Sequence, residues 1–247
     1  MTTTSKRLSG RRIIVTGAAS GIGAATSRLF ARQGAKVMLF DHAVERLAPI
    51  AEETGGTPFI VDVRDSAAVN IAVAKVAEEN DGLDGLVNAA GIIVSGTLAE
   101  TTDDIWQRVL EVNLFGTFYL CRAAMPYLQK ADNSTIVNIS SGAALVPSSG
   151  SPSYAASKGG VIAFTKAIAM TCGPEVRVNA IAPGLVDTPL IRDRNEGQIP
   201  AGSHERYALK RIAKPEEIAD AILFLTGPES AFVTGITLPV DGGRTYH

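Results

Sequence analysis

The chain has 247 residues, of which 46% are hydrophobic and 19% charged, and its formal net charge is −2. This length suits one large α/β domain or two small ones. A small net charge with no long run of like charges argues against nucleic acid or an anionic membrane as a partner. No apolar stretch approaches the ~20 residues that cross a bilayer, and the first twelve residues lack the apolar core of a signal peptide. We therefore expect a cytoplasmic protein. The spacing of Cys121 and Cys172 predicts buried free thiols and no metal site.

Apolar, β-rich runs alternate with helical patterns along the whole chain. Strands are predicted at 12–16, 36–40, 58–61, 85–88, 135–139, 177–181 and 236–240. These runs lack polar alternation, which is typical of strands that helices cover on both faces. The sequence therefore predicts an α/β fold with a doubly wound parallel sheet flanked by helices. No linker or shift in composition divides the chain, so we expect a single domain over residues 1–247.

Two segments interrupt the alternation. Residues 143–153 are rich in Gly, Pro and Ser, which predicts a loop before the helix that contains Tyr154. Residues 190–213 are polar and irregular and follow the predicted sixth strand. Long loops in compact domains are usually functional or disordered. Because this one leaves the carboxyl edge of the sheet, we predict a substrate lid rather than a disordered segment.

A glycine-rich turn follows the first strand, where residues 16–23 read Thr-Gly-Ala-Ala-Ser-Gly-Ile-Gly. Gly17, Gly21 and Gly23 lie between a strand and a helix start, which is the context of a nucleotide-binding turn. Glycines allow close approach of the backbone, and the helix N-terminus offers unpaired amides to a pyrophosphate. Asp41 ends the next strand, where a carboxylate can accept hydrogen bonds from ribose hydroxyls and repel a 2′-phosphate. The pattern predicts a dinucleotide site that favours NAD(H) over NADP(H).

A second motif lies in the middle of the chain. Tyr154 and Lys158 are four residues apart and would share one face of a helix, and Ser141 lies 13 residues before the tyrosine. A phenol titrates near pKa ~10, and a neighbouring ammonium favours the phenolate. Acid–base catalysis works best when the pKa of the catalytic group is near the working pH. This group therefore points to proton transfer.

The chain carries further short motifs in a fixed order, namely Asp62-Val63, Asn88-Ala89-Ala90-Gly91, Asn113 and Pro183-Gly184. With the glycine turn and the Ser141, Tyr154 and Lys158 group, the ordered set resembles a classical short-chain dehydrogenase/reductase over nearly the whole chain. The resemblance implies a Rossmann-type sheet with the active site at the carboxyl ends of the strands. It also implies an oxidoreductase that transfers a hydride between NAD(H) and a secondary alcohol or ketone. The extended branch of the family usually has longer chains and a different glycine spacing.

The resemblance assigns a role to each catalytic residue. Tyr154 would be the general acid in ketone reduction and the general base in alcohol oxidation. Lys158 would lower the pKa of that phenol and bind the nicotinamide ribose. Ser141 would donate a hydrogen bond to the reacting oxygen, and Asn113 would hold a water that leads protons toward Lys158. The 13-residue separation matches Ser141, which leaves Ser140 a structural role.

The cofactor contacts follow in the same way. Asp62 and Val63 would approach the adenine, and Val186 and Thr188 the nicotinamide carboxamide. The complete set of expected contacts is Gly17, Ser20, Gly21, Ile22, Gly23, Asp41, Asp62, Val63, Asn88, Ala89, Ala90, Gly91, Tyr154, Lys158, Pro183, Gly184, Val186 and Thr188. The resemblance further implies a homotetramer in which helices over 105–128 and 154–170 pair across two-fold axes. Apolar residues spread around most of both predicted helices, which agrees with burial by a partner subunit.

Several alternatives stay open. The chain could be an NADPH-dependent 3-oxoacyl-thioester reductase, although Asp41 and the lack of a basic residue in the glycine turn argue against it. It could also be a dinucleotide-binding protein without catalysis. A serine hydrolase would need a nucleophile elbow, and the sequence around Ser141 is not Gly-x-Ser-x-Gly. The substrate is undetermined because many substrates share this fold. The charges of the predicted lid are mixed: Arg192, Arg194 and Arg206 against Asp193, Glu196 and Glu205.

Overall fold

The predicted strands form one parallel sheet of seven strands in the order β3-β2-β1-β4-β5-β6-β7. We analysed a computed structural model, which describes residues 6–146, 150–193, 198 and 202–245. The strands are β1 (Arg12–Thr16), β2 (Lys36–Asp41), β3 (Thr57–Ile60), β4 (Gly85–Asn88), β5 (Ser134–Ile139), β6 (Val176–Pro183) and β7 (Thr237–Val240). In the register, Val15 of β1 lies between Leu39 of β2 and Val87 of β4. The prediction of a doubly wound parallel sheet is confirmed.

Helices cover both faces of this sheet. They are α1 (Gly21–Arg32), α2 (Val44–Thr54), α3 (Ser66–Glu79), α4 (Asp103–Leu110), α5 (Gly116–Leu128), α6 (Pro152–Cys172), α7 (Pro189–Arg192) and α8 (Pro215–Thr226). Residues of α1, α2 and α8, such as Phe30 and Ile222, share one apolar core. Residues of α3, α5 and α6, such as Val73 and Leu120, share the other. Each large apolar side chain buried in this way contributes about 1.5–3 kcal/mol, so the two cores hold the strand ends in fixed positions.

The sequence predicts one helix over 105–128, and the structure interrupts it. One turn of π-helix, Glu111–Phe115, joins α4 to α5. A π-turn inserts an extra residue into the helical repeat and is frequent at functional sites. Asn113 lies in this turn and is fully buried. The irregularity therefore aims one asparagine toward the interior while the helices on either side continue.

The strand order reverses between β1 and β4. Chains leaving these two strands go to opposite faces of the sheet, and ligands of such folds bind in the crevice outside the carboxyl ends at that point. The Thr16 hydroxyl at the end of β1 accepts hydrogen bonds from the amides of Ala89 and Ala90, both at 3.1 Å. This pair of bonds fixes the two loops on either side of the crevice.

The two irregular segments are partly described. A short 3₁₀ turn occupies Gly142–Ala144 before α6, and another, Ser203–Arg206, follows α7. Parts of the predicted loop (147–149) and of the predicted lid (194–197 and 199–201) lie outside the described residues. Within the described ranges, none of the helices has the length and apolar character that a membrane span requires. Cys121 and Cys172 are buried free thiols, as the sequence predicts.

Candidate active site

The glycine turn between β1 and α1 has a backbone that only glycine fits. Gly17 has a φ of +65°, and a Cβ there would lie 2.9 Å from the backbone of Ala90. A Cβ on Gly23 would lie 2.1 Å from the carbonyl oxygen of Gly17. The half-buried Ser20 precedes α1 and makes no side-chain cap bond, so its hydroxyl does not close the helix N-terminus. The turn therefore keeps a helix end and close-packed backbone free for a pyrophosphate, and these residues fit a dinucleotide.

Asp41 ends β2 beside this turn. Its carboxylate accepts the amide of Ala19 at 3.1 Å and that of Ala43 at 3.0 Å, and the side chain is only 10% exposed. A carboxylate has about four acceptor positions, so two bonds to the backbone leave capacity for ribose hydroxyls. The structure thus places the predicted selectivity residue next to the predicted phosphate cradle.

The residues predicted to contact the adenine, Asp62 and Val63, already make contacts within the protein. The Asp62 carboxylate accepts hydrogen bonds from both Nε and Nη2 of Arg64, the latter at 2.6 Å. These hydrogen bonds hold the pKa of Asp62 below its usual value. Val63 is buried, and a Cβ on Gly116 would lie 2.9 Å from its side chain. An adenine at this edge would therefore meet an ion pair rather than a lone carboxylate.

The Asn88 side chain does not line the crevice. Its amide nitrogen donates to Oδ1 of Asn138 at 2.8 Å, and Asn138 donates to Thr165 at 2.9 Å. This buried polar chain links β4, β5 and α6 beneath the site. At Asn88, only the backbone at the end of β4 is therefore available for the predicted cofactor contact. Ala89 and Ala90 follow it, and their amides donate to the Thr16 hydroxyl.

Gly91, Asn113 and Lys158 converge on one point. A Cβ on Gly91 would lie 3.3 Å from Oδ1 of Asn113 and 3.4 Å from Nζ of Lys158. The Asn113 amide accepts from the backbone N–H of Ile92 at 2.8 Å and donates to its carbonyl at 2.9 Å. It also donates to Ser157 at 3.0 Å. The π-turn asparagine therefore clamps the loop after β4 against α6.

Lys158 is buried at the centre of this arrangement. Its Nζ donates to the carbonyl of Ile139 at 2.7 Å, and burial lowers its pKa from 10.5 to about 8. The group is still predominantly an ammonium at neutral pH. Its Nζ lies 5.8 Å from the ring centre of Tyr154, as the four-residue spacing predicts. The Ser140 hydroxyl donates to the carbonyl of Lys158 at 2.8 Å, which ties β5 to α6 and fixes the lysine's backbone.

Ser141 and Tyr154 line one cavity of about 420 Å³. The Ser141 oxygen accepts the amide of Ala143 at 3.1 Å, which leaves its own proton to be donated. Pro183 and Gly184 at the end of β6 line the same cavity. The described part of the predicted lid also does so, through Leu190, Ile191, Gly202, Ser203, Arg206 and Tyr207. The arrangement can hold a small organic molecule against a serine and a tyrosine hydroxyl.

The remaining predicted contacts lie between the cavity and the glycine turn. Thr188 is buried, and its methyl group would lie 3.1 Å from a Cβ on Gly21. Val186 is buried and pairs with Ala213 in an isolated parallel bridge. Thr188 therefore lies beside the glycine turn, and the contacts of Val186 and Thr188 with a nicotinamide stay a prediction.

Several residues of this site were not predicted from the sequence. Ser157 receives the Asn113 amide and donates to the carbonyl of Tyr154 at 2.8 Å. Tyr207 lines the cavity while its hydroxyl accepts the amide of Leu185 at 3.0 Å. Arg244, beyond β7, also lines the cavity. Ser157 could have been found from its place on the Tyr154 helix, whereas Tyr207 and Arg244 reach the site only through tertiary packing.

The sheet order, the glycine cradle and the serine, tyrosine and lysine group define a class of protein, the dinucleotide-binding oxidoreductases of the Rossmann type. The family model described as enoyl-(acyl carrier protein) reductase matches residues 17–245. The chain is similar to 3-oxoacyl-(acyl-carrier-protein) reductase of Thermotoga maritima, with 40% identity over 96% of this chain and 98% of the relative. It is also similar to cis-4-hydroxycyclohexanecarboxylate dehydrogenase of Sinomonas cyclohexanicum, with 39% identity over 95% and 96%.

Among solved structures, one described as a short-chain dehydrogenase/reductase of the glucose/ribitol dehydrogenase type, from Brucella melitensis, superposes with a TM-score of 0.91. Its identity is 35%, over 96% of this chain and 98% of that one. The chain therefore belongs to the classical short-chain dehydrogenase/reductase family. It is an oxidoreductase that transfers a hydride between a nicotinamide dinucleotide and an alcohol or carbonyl substrate.

Proposed function

We propose that the protein is an NAD-dependent dehydrogenase of secondary alcohols, or a reductase of the corresponding ketones. The observation that carries the proposal is the shared cavity of Ser141 and Tyr154, with the Lys158 ammonium one helical turn from the phenol. The catalytic set is Asn113, Ser141, Tyr154 and Lys158. Asp41 supports NAD(H) as the preferred dinucleotide because a carboxylate beside the glycine turn disfavours a 2′-phosphate.

In the reducing direction, Ser141 donates a hydrogen bond to the carbonyl oxygen of the substrate. The hydrogen bond from the Ala143 amide uses one lone pair of the Ser141 oxygen and leaves the hydroxyl proton for donation. Tyr154 then gives its proton to the oxygen on which negative charge develops, and Lys158 favours the resulting phenolate. The bound nicotinamide supplies the hydride, or accepts it in the reverse reaction. In oxidation the Tyr154 phenolate removes the alcohol proton, so one residue serves both directions.

A second candidate is an NADPH-dependent 3-oxoacyl-thioester reductase. The 40% identity to the Thermotoga maritima reductase favours it. Asp41 argues against it because the residue would face the phosphate that distinguishes NADPH. Rates with a 3-oxoacyl thioester and NADPH, compared with a simple ketone and NADH, separate the two. The assignment as a thioester reductase is supported only if the 3-oxoacyl thioester with NADPH gives the higher kcat/KM.

The same proposal covers organisation and location. We infer a single domain over 1–247 in which residues 190–213 act as a substrate lid, supported by the described part of this segment that lines the cavity. We also infer a cytoplasmic protein, which suits two unpaired thiols because the cytosol keeps cysteines reduced.

We further propose a homotetramer. Phe115 and Phe118 of the π-turn and α5 are exposed, and Met170 of α6 is 86% exposed. Phe118 also meets Phe164 of α6 edge to face at 6.1 Å between ring centres. Both helices thus expose apolar side chains, which a second subunit would cover.

Light scattering on the purified protein is expected to give about four times the 25.8 kDa mass of one chain. Met170→Glu would place a charge in the proposed contact and is expected to shift the mass downward. A wild-type mass near one chain would contradict the tetramer. A dimer would leave only one of the two proposed interfaces.

The proposed activity is tested by a panel of secondary alcohols with NAD⁺ and of ketones with NADH, followed by absorbance of the reduced cofactor. Turnover with members of this panel is expected, and the Tyr154→Phe enzyme provides the background rate. Binding of NADH without turnover on any substrate would instead favour a dinucleotide-binding protein without catalysis.

A further inference from the structure

We propose that Arg206 and Arg244 bind an anionic oxygen group on the substrate, so that this enzyme acts on alcohols or ketones carrying a carboxylate or a phosphate ester. The inference rests on the proposed function, because it extends the same cavity. The lid sequence alone leaves the charge of the substrate undecided, since basic and acidic residues are mixed within it. The structure separates these residues by position.

Arg206 and Arg244 are the charged side chains among the described residues that line the cavity, and no acidic residue of the described ranges lines it. Arg192 does not line the cavity, because it forms an ion pair elsewhere. Its guanidinium pairs with both oxygens of Asp187, at 2.5 and 2.7 Å, on the exposed surface. Of the described lid residues with charge, Arg206 is therefore the one that lines the cavity.

The surroundings of Arg206 leave its charge for a ligand. The residue is exposed, and its guanidinium makes no hydrogen bond or ion pair with any residue that the structure describes. Glu205, its neighbour in sequence, is exposed and does not line the cavity; a Cβ on Gly202 would lie 3.4 Å from its carboxylate. The short 3₁₀ turn that carries Arg206 continues into the buried Tyr207, which anchors it to the wall of the cavity.

Arg244 reaches the cavity from a second element, the turn after β7. The Asp241 carboxylate accepts the amides of Gly243, Arg244 and Thr245, at 3.0, 3.3 and 2.9 Å. This acidic residue therefore binds the backbone of the turn after β7. The Arg244 guanidinium lies over the ring of Tyr207, 5.8 Å from its centre. Tyr207 is itself fixed by its bond with Leu185, so the cation has a firm support.

Among the described residues, two cations and no carboxylate line the cavity, and this lining creates a positive potential there. Guanidinium groups present planar forks of N–H donors that match carboxylate and phosphate oxygens. Apolar side chains, those of Ile93, Leu185, Leu190 and Ile191, form another part of the wall. The cavity therefore suits a compact molecule with an apolar body, a reacting oxygen at Ser141 and Tyr154, and an anionic group at the arginines.

The experiment compares matched ketones in the NADH-coupled assay. Oxo acids of increasing chain length are paired with their methyl esters, and dihydroxyacetone phosphate is paired with dihydroxyacetone. We expect at least one anionic member to exceed its neutral partner by roughly tenfold or more in kcat/KM. The acid pairs and the phosphate pair distinguish carboxylate from phosphate recognition. Equal or greater efficiency with every neutral partner would overturn the proposal.

Variants assign the effect to the arginines. Arg206→Met and Arg244→Met keep an extended side chain without the charge, and each is expected to reduce kcat/KM for the anionic substrate by about ten- to a hundredfold. The loss should be larger for the anionic substrate than for its neutral partner, so the ratio of the two kcat/KM values should fall. Arg192→Met is the matched control, because this arginine is in the same segment but is paired with Asp187. An anion preference unchanged in both cavity variants would overturn the assignment, as would a loss confined to NADH affinity.

Failure of the proposed function is recognised separately. Calorimetric titration of the same ketone pairs into the Tyr154→Phe protein with NADH measures binding without turnover. A preference for the anionic member that Arg206→Met removes would support the inference even if the wild-type protein reduced none of the ketones. Turnover of ketones without such a preference would retain the proposed function and overturn the inference.

Discussion

Tyr154→Phe is expected to lower kcat by about a hundredfold or more, because general acid–base catalysis contributes on that scale. The substitution removes one hydroxyl and keeps the ring beside Lys158. Since the ring and the lysine keep their places, NADH should bind with near wild-type affinity. Initial rates with a ketone and NADH measure the first effect, and a fluorescence titration with NADH measures the second. Near wild-type turnover of this variant would refute the assignment of Tyr154.

Two further variants show whether the effect is specific to this phenol. Tyr207→Phe removes a hydroxyl from the same cavity, but that hydroxyl accepts the Leu185 amide, so a much smaller loss of kcat is expected. Lys158→Ala should impair both turnover and NADH binding. Its Nζ lies beside Gly91 in the crevice and next to the Tyr154 ring, so removing it affects cofactor and phenol together. Loss of turnover alone in Lys158→Ala would limit the lysine to tuning Tyr154.

The regular part of the fold follows from local sequence patterns. Runs such as 12–16 and 135–139 contain consecutive apolar residues, Ile13–Val15 and Ile136–Val137, and a sheet covered on both faces buries such neighbours together. Because these strands alternate with helices along the chain, the pattern predicts a doubly wound sheet. The π-turn at Glu111–Phe115 could not be predicted in this way. The π-turn depends on the hydrogen bonds that Asn113 makes with Ile92 and Ser157. These bonds exist only after α4, α5 and α6 have packed.

The residues of the site also differ in whether the sequence could predict their roles. Glycines that meet backbone, such as Gly17 and Gly23, could be found because close approach restricts those positions to one residue type. The Asn88 side chain could not be placed from sequence, because its direction depends on Asn138 of the neighbouring strand. The same holds for Arg206 and Arg244, which lie 38 positions apart in the sequence and meet around Tyr207. Residues that act through the backbone were therefore easier to predict than residues that act through tertiary side-chain contacts.

Asp41 is expected to give the enzyme at least roughly a tenfold higher kcat/KM with NAD(H) than with NADP(H), which corresponds to about 1.4 kcal/mol. The carboxylate is nearly buried beside the glycine turn, where it can accept from ribose hydroxyls and would repel a 2′-phosphate. Initial rates measured with each cofactor over the same series of substrate concentrations give the ratio of the two kcat/KM values. Comparable efficiencies in the wild-type protein would contradict the assignment.

The variants of Asp41 must separate charge from scaffolding, because the carboxylate also holds the amides of Ala19 and Ala43. Asp41→Asn keeps an acceptor oxygen and removes the charge, so it should narrow the cofactor ratio chiefly by raising efficiency with NADP(H). Asp41→Ala should also narrow the ratio but lose efficiency with NAD(H), because the turn is released. Asp62→Asn is the matched control: this carboxylate lies at the end of the neighbouring strand and is paired with Arg64, so the ratio should not change. A ratio that responds to Asp62 and not to Asp41 would place cofactor selection after β3 instead of after β2.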